Sequence, residues 1–259
     1  MSLWNPGSEA PLTLWRTGAS GDPAEDLHAG IELLGQVRSG ERPPTLRMYR
    51  PEPTLAFGQR DVRLPGYSAA AEAAAAAGFA PVVRKAGGRA AAYHRGTLIV
   101  DHVEPAAEAM MGHQERFRIL GELYASTLRS LGLDAGVGEI PGEYCPGEYS
   151  VHGLPAAAES SREAGGPRPG PRVVPAGAVK LVGTAQRVVA GAWLFSSVFV
   201  VEDSAPIRSV LTDVYDSLGL PFDPRTAGAA EDLVPGTTVE ELERALVAAY
   251  ALQLEIVGG

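Results

Sequence analysis

One segment of the chain combines glycines with cations: residues 84–97, which read RKAGGRAAAYHRGT. Two stretches with sequences typical of β-strands bracket it and overlap its ends, PVVRK at residues 81–85 and TLIVDHV at residues 97–103. The adjacent Gly87 and Gly88 allow backbone N–H groups to approach a ligand closely, and four cationic side chains surround the pair. The segment therefore predicts either a binding loop for a carboxyl, thioester or phosphate group, or a plain hairpin with solvated charges.

The rest of the chain mixes helical and strand signals without a regular alternation. Asp22, Pro23 and Glu25 are typical of a helix N-terminus, and an apolar stripe with helical spacing continues to Val37. Further strands are predicted at residues 45–50, 54–57, 148–152 and 192–201, and further helices at residues 69–77, 106–131, 206–218 and 239–254. This mixture predicts an α+β fold, with a mixed β-sheet flanked by helices.

Length, charge and cysteine content exclude several classes of protein. A chain of 259 residues is long enough for one large domain or two small ones. Its formal net charge of −9 disfavours a nucleic-acid-binding surface, and no apolar run approaches the ~20 residues of a membrane span. The lone Cys145 excludes an intrachain disulfide framework and fits a reducing compartment, and the histidines show no metal-ligand spacing. We therefore expect a cytoplasmic protein with no metal site, no membrane contact and no nucleic-acid partner.

Cys145 lies in the segment GEYCPGEY, residues 142–149. Lone cysteines are commonly buried among apolar strand residues, but the neighbours of this one are Gly, Pro, Tyr and Glu, a composition typical of a loop. Such a loop places the sulfur near solvent, where a nucleophile must be. A working thiolate also needs a nearby cation or base, so the local sequence leaves both a structural and a catalytic role open. His152, seven residues later on a predicted strand, is one candidate base.

A lysine interrupts the apolar run at residues 179–187, which read VKLVGTAQR. On an edge strand, Lys180 would simply extend its charged end to solvent. If it points inward, it supplies a positive charge and up to three hydrogen-bond donors to an acyl carbonyl or a thiolate. Between Cys145 and Lys180, residues 153–177 are rich in Gly and Pro and predict a surface loop.

In this order, the three segments resemble the lipoate–protein ligase and octanoyltransferase superfamily, which is related to the biotin ligases. The resemblance rests on R-x-x-G-G-R-A from Arg84, with His94 ten residues after the arginine, and on K-x-x-G-x-A-Q from Lys180. The opening of the chain is also similar, in Trp15, the helix from Pro23, the run Pro44-Thr45-Leu46-Arg47 and the pair Phe57-Gly58.

The resemblance implies a fold and a branch of the superfamily. The fold is that of the biotin and lipoate ligase catalytic domain. Its expected parts are a single domain over residues 1–259, a loop insertion at residues 153–177 and C-terminal helices at residues 206–256. Because Gly87 and Gly88 are followed by Arg89 rather than a third glycine, and because Cys145 precedes the lysine motif, the chain is most similar to the cysteine-dependent octanoyltransferases and lipoyl amidotransferases.

This branch implies acyl transfer through a thioester. The Cys145 thiolate attacks an octanoyl or lipoyl thioester or amide, Lys180 holds the acyl carbonyl, and a lysine of a lipoyl domain then takes the acyl group. No cofactor or ATP is required, because thioester exchange is nearly thermoneutral and transfer from thioester to amide runs downhill. The substrate-binding residues implied are Arg47, Arg84, Gly87, Gly88, Arg89, His94, Gly183 and Ala185. The expected tunnel walls are Val82, Leu98, Val100 and Leu194.

The partners implied are lipoyl-domain proteins, namely 2-oxoacid dehydrogenase E2 subunits and the glycine cleavage H protein, with acyl carrier protein as a donor. Such proteins are usually acidic, as is this chain, so long-range attraction between net charges is unfavourable. We therefore expect a local basic rim at the mouth of the site, made of Arg84, Lys85, Arg89 and Arg95.

Two other functions remain open. One is an ATP-dependent lipoate–protein ligase that forms lipoyl-AMP with ATP and Mg²⁺, in which Cys145 is incidental. The other is a non-catalytic lipoyl-binding protein. The second is favoured by Ser196, which occupies the position where relatives carry a histidine.

Overall fold

The computed structural model describes residues 10–85, 87–155 and 174–258. Within these ranges the strands are β1 (Leu12–Arg16), β2 (Thr45–Tyr49), β3 (Thr54–Phe57), β4 (Ala80–Val83), β5 (Ala91–Tyr93), β6 (Thr97–Ala106), β7 (Asp134–Val137), β8 (Val151–Leu154), β9 (Val179–Val189), β10 (Gly191–Val200) and β11 (Ile256–Val257). The helices are α1 (Pro23–Ser39), α2 (Tyr67–Ala76), α3 (His113–Ser130), α4 (Ser204–Leu218), α5 (Ala230–Leu233) and α6 (Val239–Ala251).

The strands of this described part form a large and a small sheet, both of mixed direction. The large sheet has the order β11-β1-β2-β6-β10-β9-β8-β7, and the small one has the order β4-β3-β5. In the large sheet β1 runs parallel to β2 and β11, while the long strands β6, β10 and β9 are antiparallel neighbours. In the small sheet β3 pairs parallel with β4 and antiparallel with β5. The predicted mixed sheet flanked by helices is confirmed.

Helices cover both faces of the large sheet. Helix α1 packs on β6 and β10, and α3 and α6 pack against each other over the opposite face. Successive residues of a strand point to opposite faces. In β6, Leu98 and Val100 therefore join the core under α3 and α6, whereas Val103 packs with α1. Helices α2 and α4 cover the small sheet.

The N-terminal half matches the predicted helices and strands except at some boundaries. The Asp22 carboxylate accepts the N–H groups of Ala24 and Glu25, as a helix N-cap does. Helix α2 starts at Tyr67, two residues before its predicted start. Residues 106–112 were predicted to be helical, but β6 extends to Ala106 because that residue pairs with β10 at Gly191. The short strands β1 and β5 of this half were not predicted, and neither were β7 and β11.

The second half differs from the predictions in its connections. Gly153 and Leu154 were assigned to the surface loop but extend β8, since they pair with Ala135 and Asp134 of β7. Residues 156–173 of that predicted loop lie outside the described residues. The C-terminal helices were predicted within residues 206–256; α4 begins two residues earlier and α6 ends at Ala251.

Candidate active site

A cavity of about 290 Å³ opens between α1, the β4–β5 connection, the loop at residues 142–150 and strands β9 and β10. It brings most of the predicted site residues together. Those that line it are Arg84, Gly87, Gly88, Cys145, Lys180, Gly183 and Ala185. Apolar side chains also line it, among them Leu27, Ile31, Phe117, Leu194 and Val198.

Cys145 is held in the left-handed backbone region, at φ +44°. Residues with side chains rarely adopt this conformation, so the surrounding contacts must hold it. One of them is Tyr215 of α4, whose hydroxyl accepts the Cys145 N–H at 2.6 Å and donates to the Ala90 carbonyl at 3.0 Å. The conformation points the Cys145 sulfur towards the β4–β5 connection.

The sulfur lies between two donors from that connection. Cys145 Sγ is 3.2 Å from the backbone nitrogen of Arg89 and 3.3 Å from Nη2 of Arg84. Burial raises the pKa of the Cys145 thiol, but the charges of Arg84 and Lys180, the Arg89 N–H and the hydrogen bond from Arg84 together bring the pKa below its usual value. The site therefore favours the thiolate, which is the nucleophilic form.

The two glycines of the predicted loop have different roles. Gly88 has φ +105°, and a Cβ there would lie 2.3 Å from Nη2 of Arg84 and 2.8 Å from Cys145 Sγ. Only glycine fits this position. A Cβ on Gly87 would meet no atom within 4 Å. Behind the loop, a Cβ on Gly58 would lie 1.9 Å from the Gly88 carbonyl oxygen, so the end of β3 touches the loop directly.

Lys180 points inward from β9 and is almost fully buried, with a side chain 2% exposed. Its Nζ lies 3.0 Å from the carbonyl oxygen of Tyr144, 2.9 Å from that of Cys145 and 2.9 Å from Oε2 of Glu143. The two carbonyl contacts are hydrogen bonds, and the contact with Glu143 is an ion pair. Lys180 was predicted to hold an acyl carbonyl; in the structure its donors are directed at the cysteine loop.

Three predicted binding residues do not line the cavity: Arg47, His94 and Arg89, of which only Arg89 contacts the Cys145 sulfur, through its N–H. Arg47 is buried and donates to Oδ2 of Asp101 at 3.0 Å and to the Asp26 carbonyl at 3.2 Å. His94 accepts the Gly96 N–H on Nδ1 at 2.8 Å, which leaves Nε2 to donate to the Asp203 carbonyl at 2.7 Å. Both side chains thus stabilise the strands around them rather than reach the cavity.

Of the four predicted tunnel walls, one lines the cavity and three do not. Leu194 lines the cavity. Leu98 and Val100 face the core under α3 and α6, and Val82 is buried in β4 outside the lining. The candidate base His152 is also buried and does not line the cavity.

Several residues of the site were not predicted. Asp101 lines the cavity, and its Oδ1 accepts a hydrogen bond from Ser196 at 2.7 Å. The sequence marks Asp101 by its position inside an apolar strand, and it marks Ser196 by its departure from the superfamily pattern. Glu143 is marked only by its closeness to Cys145. Nothing in the sequence marks Tyr215, which is seventy residues from the cysteine.

The predicted basic rim is largely neutralised. Arg84 is buried, Arg89 forms an ion pair with Asp61 at 3.0 Å, and Arg95 forms one with Glu52. Lys85 is exposed at the cavity mouth, and the exposed Arg187 donates to its carbonyl at 3.2 Å.

Within the described ranges the chain has neither a metal-ligand cluster nor a membrane-crossing helix. No group of three or more His, Cys, Asp or Glu side chains there is placed to hold a metal ion. No helix in that part of the chain has the length and apolar character needed to cross a membrane.

The fold is that of lipoate–protein ligases. The crystal structure of lipoate-protein ligase A bound with ATP superposes with a TM-score of 0.67 and 21% identity, over 96% of this chain and 87% of that one. The putative lipoate protein ligase Ta0514 from T. acidophilum gives a TM-score of 0.64 at 20% identity, over 96% and 87% of the two chains. These likenesses confirm the predicted catalytic-domain fold.

The chain belongs to the family described as the lipoyl protein ligase A/B catalytic domain, whose model matches residues 22–251. The octanoyl-[GcvH]:protein N-octanoyltransferase of Geobacillus kaustophilus (strain HTA426) is 26% identical over 203 residues, which are 78% of this chain and 63% of that protein. The protein of the same name from Lysinibacillus sphaericus (strain C3-41) is 29% identical over 133 residues, which are 51% of this chain and 47% of that one. The chain thus covers less than two thirds of these relatives. The predicted resemblance to the superfamily is confirmed.

Proposed function

We propose that the protein is an acyltransferase that accepts an octanoyl or lipoyl group on Cys145 and passes it to the lysine of a lipoyl-domain protein. The observation that carries the proposal is the position of Cys145 Sγ, which faces a partly apolar cavity between the Arg89 N–H and the Arg84 guanidinium. A thiol with a lowered pKa in such a cavity has the properties of a nucleophile.

In the first step the thiolate attacks the carbonyl carbon of an acyl thioester or amide. A bond forms between Sγ and this carbon, and the bond to the leaving thiol or amine breaks as the leaving group takes up a proton. The Arg84 charge and the Arg89 N–H hold the thiolate in place before the attack. The protein thus contributes positioning and electrostatic support.

In the second step a lysine amine of the acceptor attacks the Cys145 thioester. A C–N bond forms, the C–S bond breaks, and the amine loses a proton while the thiolate returns to its place near Arg84. An amide is more stable than a thioester, so this step runs downhill. When the donor is an amide, the first step is uphill by about the same amount and the whole transfer is nearly neutral, so neither route needs ATP. We propose that no cofactor is required.

The apolar side chains of the cavity support an acyl substrate. Leu27 and Ile31 of α1 face Leu194 and Val198 of β10 across it. Burial of eight carbons at about 0.8 kcal/mol each gives roughly 6 kcal/mol of gross binding free energy. This is enough to select a chain length.

The proposed partners follow from the relatives. Their shared name contains octanoyl-[GcvH], which supports the glycine cleavage H protein as a partner. A T. acidophilum lipoate protein ligase of similar fold has an E2 lipoyl domain as its partner, which supports E2 subunits as acceptors. Acyl carrier protein is proposed as a further donor. The lone cysteine fits a reducing compartment, and we propose that the reaction takes place in the cytoplasm.

The test is intact-mass analysis of the full chain after incubation with octanoyl-H protein, and separately with octanoyl-carrier protein, without ATP. We expect a mass gain of one octanoyl group that hydroxylamine removes. It should disappear in Cys145→Ala and remain in Ser68→Ala, a control on an exposed position of α2. Absence of the gain with both donors contradicts the proposal.

The likeness to a ligase solved with ATP favours a second function, an ATP-dependent lipoate–protein ligase. This function needs free lipoate, ATP and Mg²⁺, and it does not need Cys145. Lipoylation of an acceptor that requires ATP and is unchanged in Cys145→Ala would establish it. A protein that binds lipoyl groups but never acquires an acyl adduct would instead be the non-catalytic binder.

A further inference from the structure

Glu143, two residues before Cys145, is a charged group that the proposed reaction does not use. Its side chain is fully buried, at 0% exposure, and its Oε2 lies 2.9 Å from Lys180 Nζ. A buried carboxylate is retained where it has a charge partner and hydrogen bonds, because its desolvation is otherwise costly. Glu143 has both.

The other carboxylate oxygen joins the two sides of the cysteine loop. Oε1 of Glu143 lies 3.2 Å from the backbone nitrogen of Ile140, 3.3 Å from that of Gly147 and 3.0 Å from the Ser150 hydroxyl. These donors precede and follow Cys145 in the chain. One side chain therefore fixes both ends of the loop and, through Lys180, connects them to β9.

We propose that Glu143 is the positioning residue of the cysteine loop. Its ion pair keeps Lys180 directed at the carbonyls of Tyr144 and Cys145, and these contacts hold Cys145 in its left-handed conformation. The sulfur consequently stays between Arg84 and the Arg89 N–H. The inference rests on the proposed function only in treating Cys145 as the nucleophile.

The inference also changes the role of Lys180. It donates hydrogen bonds to the carbonyls of Tyr144 and Cys145 and forms an ion pair with Glu143, so it acts on the reaction through the loop and through its charge near the thiol.

The test compares Glu143→Gln with Glu139→Gln in the full chain. Gln keeps the size of Glu and its carbonyl accepts from the loop, but it removes the charge beside Lys180. Glu139 is an exposed glutamate four residues earlier and serves as the matched control. The readout is the pH profile of Cys145 alkylation by iodoacetamide, which needs no acyl substrate and therefore tests the positioning even if the protein transfers no acyl group.

We expect the Cys145 thiol pKa of Glu143→Gln to rise by about one unit, which means about tenfold slower alkylation at any pH well below the thiol pKa. Without the ion pair Lys180 no longer fixes the loop, so the sulfur moves away from Arg84 and the Arg89 N–H and the thiolate loses part of their stabilisation. Acyl-enzyme formation should slow by a similar factor or more. Glu143→Asp, which keeps the charge, should recover part of both rates, and Glu139→Gln should match the wild type.

Two results would overturn the inference. One is a wild-type alkylation profile in Glu143→Gln, with or without slower acyl transfer, because the loop then holds the thiol without Glu143. The other is a folded Lys180→Met/Glu143→Leu variant with a wild-type profile, which would show that the ion pair is dispensable. This double variant removes both buried charges and also provides the test if Glu143→Gln alone does not fold.

Discussion

The replacement of Gly88 by alanine tests directly whether the β4–β5 connection activates Cys145. The new Cβ would lie 2.3 Å from Arg84 Nη2 and 2.8 Å from the sulfur, so the guanidinium must move away from the thiolate. A hydrogen bond to a charged group is worth about 1.5–3 kcal/mol. At 1.36 kcal/mol per pKa unit, its loss raises the thiol pKa by about 1–2 units. The backbone at φ +105° adds a cost of about 1–2 kcal/mol in stability.

The assay is the rate of Cys145 alkylation between pH 5 and 10, with urea unfolding in parallel. We expect alkylation in Gly88→Ala to slow about 10- to 100-fold at pH values well below the thiol pKa. Gly87→Ala is the matched comparison for the thiol pKa, because its Cβ would meet no atom within 4 Å. Equal thiol pKa values in the two variants would refute the reasoning that the Gly88 position controls the thiolate.

Four further outcomes are expected. Tyr215→Phe removes the hydroxyl that accepts the Cys145 N–H, so the free energy of urea unfolding should fall by about 1–3 kcal/mol and acyl-enzyme formation should slow; an unchanged rate would contradict the role of Tyr215. Asp101→Asn leaves the buried Arg47 without its charge partner and should cost about 3–5 kcal/mol of unfolding free energy, whereas a loss below 1 kcal/mol would contradict the ion pair. Arg187→Glu should slow transfer to an acidic lipoyl domain and weaken its salt dependence, an idea that unchanged low-salt rates would exclude. The Cys145 pKa is lower in the folded state than in the unfolded state, so the thiolate stabilises the fold. This stabilisation is complete above the unfolded-state pKa and disappears as the pH falls through the folded-state pKa. The difference in unfolding free energy between wild type and Cys145→Ala should therefore widen from pH 5 to pH 9 in urea titrations.

The sequence predicts which segments meet in the site better than it predicts what each side chain does there. The glycine pair, Cys145 and Lys180 come together because their motifs fix strand ends and loops. The contacts of Lys180 were not predictable, since nothing in the order of residues shows that Glu143 turns inward. Tyr215 depends on how α4 packs on the small sheet, which local patterns do not encode.

Some errors have simple physical causes. Successive residues of a strand point to opposite faces. Leu98 and Val100 were predicted to line the tunnel, but they point into the core, and Asp101, on the other face of β6, lines the cavity; the prediction is wrong by one residue in register. Residues 106–112 contain helix-favouring alanine and methionine, but pairing with β10 extends the strand to Ala106. His94 looks like a ligand contact in the sequence, yet both of its ring nitrogens are used by backbone groups of its own turn and of Asp203.

Cys145 lies at the seam between the two sheets. Tyr215, which holds its N–H, belongs to the layer over the small sheet, and Lys180, which holds its carbonyl, belongs to the large sheet. A small sliding of one sheet over the other would therefore separate the contacts that keep the sulfur in position, while each sheet keeps its own hydrogen bonds. On gentle heating the protein should lose reactivity at Cys145 before it loses β-sheet circular dichroism. The alkylation rate of Cys145 would then report how the two sheets are aligned.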